Sequence, residues 1–233
     1  MRRWAFATLC MVLAAGFAAL GVWQVERRAW KLELIAKVEA RVRAVPTPLP
    51  GRAAWNGDNA YRRVRVSGRW LHDRETLVQA VTERGAGFWV MTPLVITGGE
   101  RPDQTIVLIN RGFVPAKQEA QTLSDGLATI TGLMRESEPG GGFLRRNDPV
   151  VDRWYSRDVA AIARARRLTG VAPFFVDADA APNPGGYPVG GLTVIAFRNN
   201  HLMYSLTWFG LAVLSLSGAV IVLRRRAPSG GRT

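Results

Sequence analysis

Apolar and charged residues are sorted into blocks along this chain. Trp4–Val25 and Met203–Leu223 contain no Asp, Glu, Lys or Arg. With a helical rise of about 1.5 Å per residue, each stretch is long enough to cross a hydrocarbon core about 30 Å thick. Both are predicted transmembrane helices. Beyond the first, Trp30, Leu34, Val38 and Val42 recur every four residues with Ile35 beside them, while Arg, Lys and Glu fill the other faces. The helix is therefore expected to continue past the membrane surface. Pro46, Pro48 and Pro50 end it.

Between the stretches the period changes from helical to two. In Tyr61–Trp70, Val64 and Val66 fall on one face and Arg63, Arg65 and Ser67 on the other, which is the pattern of a half-buried strand. Further strands are predicted at Thr76–Val81, Phe88–Ile96, Thr105–Asn110 and Leu127–Met134, the last with Gly132 as a bulge. Weaker runs follow at Val150–Tyr155, Phe174–Val176 and Leu192–Phe197. Ser156 is predicted to cap a helix reaching Leu168, with Val159, Ile162, Ala163 and Arg166 to one side. Pro139–Gly142 and Pro182–Gly191 read as turns or loops. The expected fold class is an α+β membrane protein: two transmembrane helices flanking an antiparallel β-rich domain, sheet or small barrel, with one packed helix.

Charge orients this arrangement. Arg2 and Arg3 precede the first span, and Arg224, Arg225, Arg226 and Arg232 follow the second, with no acidic residue in either tail. Basic residues beside spans stay on the cytoplasmic side. Residues 1–3 and 224–233 thus read as cytoplasmic, 4–25 and 203–223 as spans, and 26–202 as an extracytoplasmic domain of 177 residues. Arg27, Arg28 and Lys31 stand on the outer side against this rule. The first span, at about 22 apolar residues, is longer than a signal-peptide core and reads as an uncleaved anchor in a bacterial plasma membrane. The outer domain carries 25 basic against 18 acidic residues. That balance suits anionic headgroups or an anionic ligand, and nucleic acid is not expected outside the cytoplasm.

Candidate chemistry is sparse. The single cysteine, Cys10, lies inside the first span, so the outer domain has no disulfide and a two-thiol copper site within one chain is excluded. The two histidines are His72 and His201. His72 falls in a turn between strands and reads as solvated. His201 stands at the mouth of the second span, after Arg198, Asn199 and Asn200. On a helix it shares a face with Tyr204, Ser205 and Trp208. Neutral imidazole ligates haem iron, Ser205 leaves room and Trp208 offers a planar contact, with Arg198 about one turn toward water. The same residues also fit a plain interfacial belt. Trp23, Gln24 and Arg27 stand at similar depth on the first span, above a stripe of Ala14, Ala18 and Gly21 that would admit a close helix neighbour.

Four segments together resemble a known family. They are Gly21-Val22-Trp23-Gln24 with Arg27 and Lys31; Tyr61–Gly68; Asn110-Arg111-Gly112-Phe113-Val114; and Asn199–Phe209, which contains His-x-x-Tyr-x-x-Thr-Trp-Phe. In this order, between two spans, they resemble the surfeit-locus (SURF, Shy-type) family of cytochrome c oxidase assembly factors. The resemblance implies a membrane chaperone, not an enzyme. It would bind haem a as cargo through His201 and help install it in oxidase subunit I, with haem A synthase as donor. On this view Tyr204, Trp208, Trp23 and Gln24 surround the cofactor, and Arg198 and Arg27 meet its propionates. Arg111 is expected to pair within the domain, and Gly112 to permit a turn after a strand. Three other readings compete: a cofactor-free scaffold for an oxidase intermediate, an enzyme acting on haem, and a copper carrier. The last is disfavoured by one Cys and two separated His, because copper sites gather several soft or imidazole ligands.

Overall fold

The alternating strands of the middle segment close on themselves. The computed structural model describes residues 2–50, 55, 59–97, 105–115, 126–142, 144–181, 186–195, 197 and 199–224. The chain divides into two units, 38–195 and 1–37 with 196–233. In the first, strands β1 (Thr47–Pro48), β2 (Arg63–Trp70), β3 (Thr76–Thr82), β4 (Gly85–Ile96), β5 (Ile106–Pro115), β6 (Leu127–Glu136) and β7 (Val171–Ala178) lie in the order β1-β2-β6-β7-β5-β4-β3. A further pairing of Gly68–Trp70 in β2 with Leu94–Ile96 in β4 joins β2, β6, β7, β5 and β4 into a ring. Closure pairs each ring strand on both sides, while β1 and β3 each pair with one strand of the sheet.

A ring of five strands cannot alternate direction all the way round. One neighbouring pair must run parallel, and here it is β5 with β7, while the other four pairs are antiparallel. The expectation of a purely antiparallel sheet is corrected to that extent. Val64, Val66, Trp70, Leu94, Val107, Ile109, Met134, Phe174 and Val176 form one core cluster. Alternate residues of the same strands, Met91, Leu108 and Phe175, join Val78 and Trp154 beneath helix α2 (Val159–Ala165) through Val159 and Ile162. Strand β5 is thus covered on both faces, and residues 106–114 are all buried, the polar Asn110 and Arg111 included.

Several local expectations are corrected. Helix α2 is shorter than predicted, and its N-cap is Asp158, whose side chain accepts from the Ala161 amide at 3.0 Å. Ser156 Oγ is instead engaged by Asn147 Nδ2 and the Gly141 amide, each at 3.0 Å. Gly132 is no bulge, since β6 stays in register with β2 and β7 there. A Cβ on it would stand 2.2 Å from the Asp177 carbonyl oxygen, so the position admits only hydrogen. A bulge lies instead in β5: between the pairs Trp89–Phe113 and Met91–Asn110, Val90 alone stands opposite Arg111 and Gly112. Gly112 does not end β5. It sits within the strand at φ +132°, and a Cβ would meet the Val189 carbonyl oxygen at 2.2 Å. Val150–Tyr155 contributes only isolated bridges, and residues 192–195 form no strand.

A buried ionic centre is gathered around Asp177. Asp177, 2% exposed on β7, accepts from Asn110 Nδ2 (2.8 Å), Arg135 Nη1 (2.7 Å), Thr193 Oγ1 (2.9 Å) and Arg157 Nη1 (3.1 Å). Arg157 also pairs with Glu138 and lies 4.7 Å from the Phe175 ring centre. Burial pulls its guanidinium down in pKa, but its hydrogen bond to Glu138 and the charges of Asp177 and Glu138 outweigh that and raise it.

Helix α3 (His201–Arg224) lies in the second unit, as does α1 (Arg2–Arg43) up to Lys37, and both helices are long and apolar enough to cross a membrane. As expected, α1 runs unbroken past its apolar part to just before Pro46. Its apolar stripe is only partly covered: Val38 is buried, Ile35 and Val42 are half-buried, and Trp30 and Leu34 are exposed.

Candidate functional site

The site is built on the pairing of α1 with α3. Along α1 the covered positions include Ala7, Cys10, Ala14, Phe17, Gly21, Gln24, Arg28 and Lys31. Along α3 they include His201, Ser205, Trp208, Ala212, Ser215, Ala219 and Val222. The spacing alternates three and four on both helices, the seven-residue repeat of a left-handed helix pair. Small residues hold every seventh place: Ala7, Ala14 and Gly21 on α1, and Ser205, Ala212 and Ala219 on α3. They let the backbones come close. Ala7, Cys10 and Ala219 form a buried cluster, and a Cβ on Gly21 would stand 2.6 Å from the Phe209 ring.

Gln24 and His201 meet at one end of this seam. His201 Nδ1 lies 2.8 Å from Gln24 Oε1. An amide oxygen only accepts, so in this contact Nδ1 is the donor. Among the described residues this is the one side-chain hydrogen bond between the two helices. In an apolar surrounding such a bond contributes about 0.6–2 kcal/mol to pairing. Ser205 Oγ donates to the Leu202 carbonyl at 2.8 Å, satisfied within its own helix.

The remaining predicted residues are separated by the packing. Trp208 is on the seam, stacked on Phe17 with ring centres 5.7 Å apart and planes at 25°. Its planar face toward α1 is therefore already covered. Tyr204 is 54% exposed and Trp23 53%, so both flank the seam rather than line it. Arg27 is exposed and lies 4.0 Å from the centre of the Trp30 ring, and Lys31 is 5.6 Å from that of Phe197. Arg198 lies outside the described residues, as do Arg225, Arg226 and Arg232. Asn199 Oδ1 is buried without a hydrogen-bond partner among the described residues. Of the predicted stripe Ala14 and Gly21 are buried and Ala18 half-buried. Phe17 escaped the sequence reading, although a signal existed: Cys10, Phe17, Gln24 and Lys31 stand seven residues apart.

His72 is not the solvated turn residue expected. Its side chain is 10% exposed. It sits in a short 3-10 turn beside Trp70, with ring centres 5.8 Å apart, and Nδ1 is 4.0 Å from Glu75. Its Nε2 is buried without a hydrogen-bond partner among the described residues. Glu75 Oε2 is claimed by Thr92 Oγ1 at 2.6 Å and Arg111 Nη1 at 3.2 Å. Arg111 thus pairs within the domain, as expected. Burial lowers its pKa, and the charge and hydrogen bond of Glu75 oppose that shift. Among the described residues no three His, Cys, Asp or Glu side chains converge as a metal site would require.

The geometry falls on the segments that carried the resemblance. Gly21 and Gln24 lie on the α1 seam, His201, Ser205 and Trp208 on the α3 seam, and Asn110–Val114 within β5. The SURF1 family model matches residues 11–213. Surfeit locus protein 1 of Mus musculus is 39% identical over 221 residues, covering 87% of this chain and 70% of the mouse protein. The Homo sapiens protein of the same name is 37% identical over 217 residues, 83% of this chain and 69% of its own. A SURF1-like protein of Monosiga brevicollis is 36% identical over 239 residues, 92% of this chain and 88% of its own. A match across both helices and the barrel between them leaves one conclusion: the chain belongs to the SURF1 family.

Proposed function

We propose that this protein is an assembly factor for haem–copper cytochrome c oxidase, which binds haem a as cargo and aids its insertion into oxidase subunit I. Family membership supports the assembly role. One observation carries the cofactor reading: His201 is held at the end of an apolar helix pair with Nδ1 committed to Gln24 Oε1 at 2.8 Å. The donor set suits an iron porphyrin, because a neutral imidazole with one nitrogen committed offers the other to iron. His201 would be the axial ligand, with Arg27 and Arg198 supplying positive charge for the propionates. Tyr204 and Trp23, exposed on the flanks, would contact the cargo's apolar surface. Trp208, stacked on Phe17, would support the seam behind the ligand. A single protein ligand suits a carrier, since an acceptor subunit with its own histidines can outcompete it.

In this reading both helices span a bacterial plasma membrane. The termini are cytoplasmic and the barrel extracytoplasmic, following the basic tails. Haem A synthase is the donor, and the barrel gives docking specificity for subunit I. The test is an absorption spectrum of detergent-purified protein co-expressed with haem A synthase, as wild type and His201→Ala. A haem a Soret and α band in wild type, lost or shifted in the variant, is the expected result. Colourless wild-type protein from membranes containing haem a would instead favour a cofactor-free scaffold.

A further inference from the structure

We propose that Gln24 is the positioning residue of this site. By accepting the Nδ1 proton of His201, it locks the imidazole in the tautomer that presents the Nε2 lone pair for ligation. What Nε2 binds rests on the haem reading above, whereas the tautomer is a property of the chain alone.

Among the described residues His201 makes one side-chain hydrogen bond across the seam. Gln24 Oε1 faces Nδ1 at 2.8 Å. The nearest seam hydroxyl, Ser205 Oγ, is spent on the Leu202 carbonyl at 2.8 Å. Much of the rest of the contact between the helices is made by small and apolar groups, with Gly21 lying against Phe209 and Ala7 and Cys10 clustered with Ala219. In such surroundings an imidazole N–H follows its single acceptor. Gln24 therefore sets both the protonated nitrogen and the plane of the ring. The acceptor being an amide matters too. A carboxylate there would draw the proton strongly and make Nε2 a more basic, tighter ligand. A neutral amide orients the ring with less gain in basicity, which suits a site that must give its ligand up.

The experiment uses the full-length protein, labelled with 15N-histidine, in detergent micelles at alkaline pH. The chain has two histidines, so His201→Ala assigns the signals. In wild type, His201 is expected to show a protonated Nδ1 and an unprotonated Nε2. Gln24→Leu should move the proton to Nε2, and Gln24→Glu should keep it on Nδ1. A wild-type His201 protonated at Nε2, or a tautomer unmoved by Gln24→Leu, would overturn the proposal whatever the cofactor. Should Gln24→Leu fail to fold, wild type and Gln24→Glu still decide it, because both must hold the proton on Nδ1. Titration with ferric haem b follows. Gln24→Leu should weaken binding roughly 10–100-fold, and Gln24→Glu should lower the midpoint potential of the bound haem. Absence of haem binding to wild type, with the expected tautomer, would remove the haem reading and leave the positioning role standing. Haem binding of unchanged affinity and potential in both variants, with a tautomer unmoved by Gln24→Leu, would do the reverse.

Discussion

Two aspartates at the end of β7 show how far burial decides a residue's weight. Asp177 is 2% exposed and holds Arg135 and Arg157, while Asp179 pairs with Arg63 at a surface where both side chains are a third exposed. Removing one member of a buried, hydrogen-bonded ion cluster leaves uncompensated charge and costs about 3–5 kcal/mol. Removing one member of an exposed pair costs about 1 kcal/mol or less. Asp177→Ala is thus expected to destabilise the barrel by several times as much as Asp179→Ala, read by urea unfolding of the full-length protein followed by tryptophan fluorescence. Equal losses would mean that Asp177 is not the centre described. From the sequence, Asp177 reads only as a polar residue after a short apolar run. Its partners, Asn110, Arg135, Arg157 and Thr193, come from four other parts of the chain, so no local pattern marks it. His72 was misread for the same reason: the turn was legible, but not the packing of Trp70 and Glu75 around it.

Helices α1 and α3 are the elements whose existence was plainest and whose facing was not. The residues that pair are recovered by counting sevens from the small positions, but either helix alone offers several such stripes. The chain's sole cysteine gives a direct test of register. A Cβ built on Gly218 stands 3.7 Å from Cys10 Sγ, close to the separation a disulfide requires. Gly218→Cys is expected to form a disulfide with Cys10 on mild oxidation in detergent, seen as a mobility shift reversed by reductant. Val220→Cys, exposed on α3, should not. Cross-linking of both or of neither would refute the pairing, and with it the face that places Gln24 against His201.

Over the whole barrel, ionic pairs tie the strands to the loop that leads into α2, and they make its stability depend on pH. Glu138 lies beside Arg157 and Arg135. Burial alone would raise its carboxyl pKa, but the hydrogen bond from Arg157 and the charges of both arginines outweigh burial and hold it below its ordinary value of 4.5. A depressed folded-state value stabilises the fold fully above the unfolded value and is lost as pH falls through the folded one. Thermal melting is expected to show wild type losing stability below that ordinary value, with Glu138→Gln less stable at neutral pH and less sensitive to acid. Parallel curves would show that the pair contributes nothing.

Local chemistry determined the elements. Two uncharged stretches, a run of prolines, period-two alternation in β2 and a short amphipathic helix each act over a few residues, so each could be read in order along the chain. Asn110–Val114 and Asn199–Phe209 marked the family by the same token. Tertiary structure alone decided what depends on partners far away in sequence. It closed five strands into a ring, and an odd ring forced β5 and β7 to run parallel. It also turned Gln24 onto His201 while leaving Trp23 and Tyr204 on the flanks, because the small residues of two helices far apart in sequence decide which faces meet and which stay exposed.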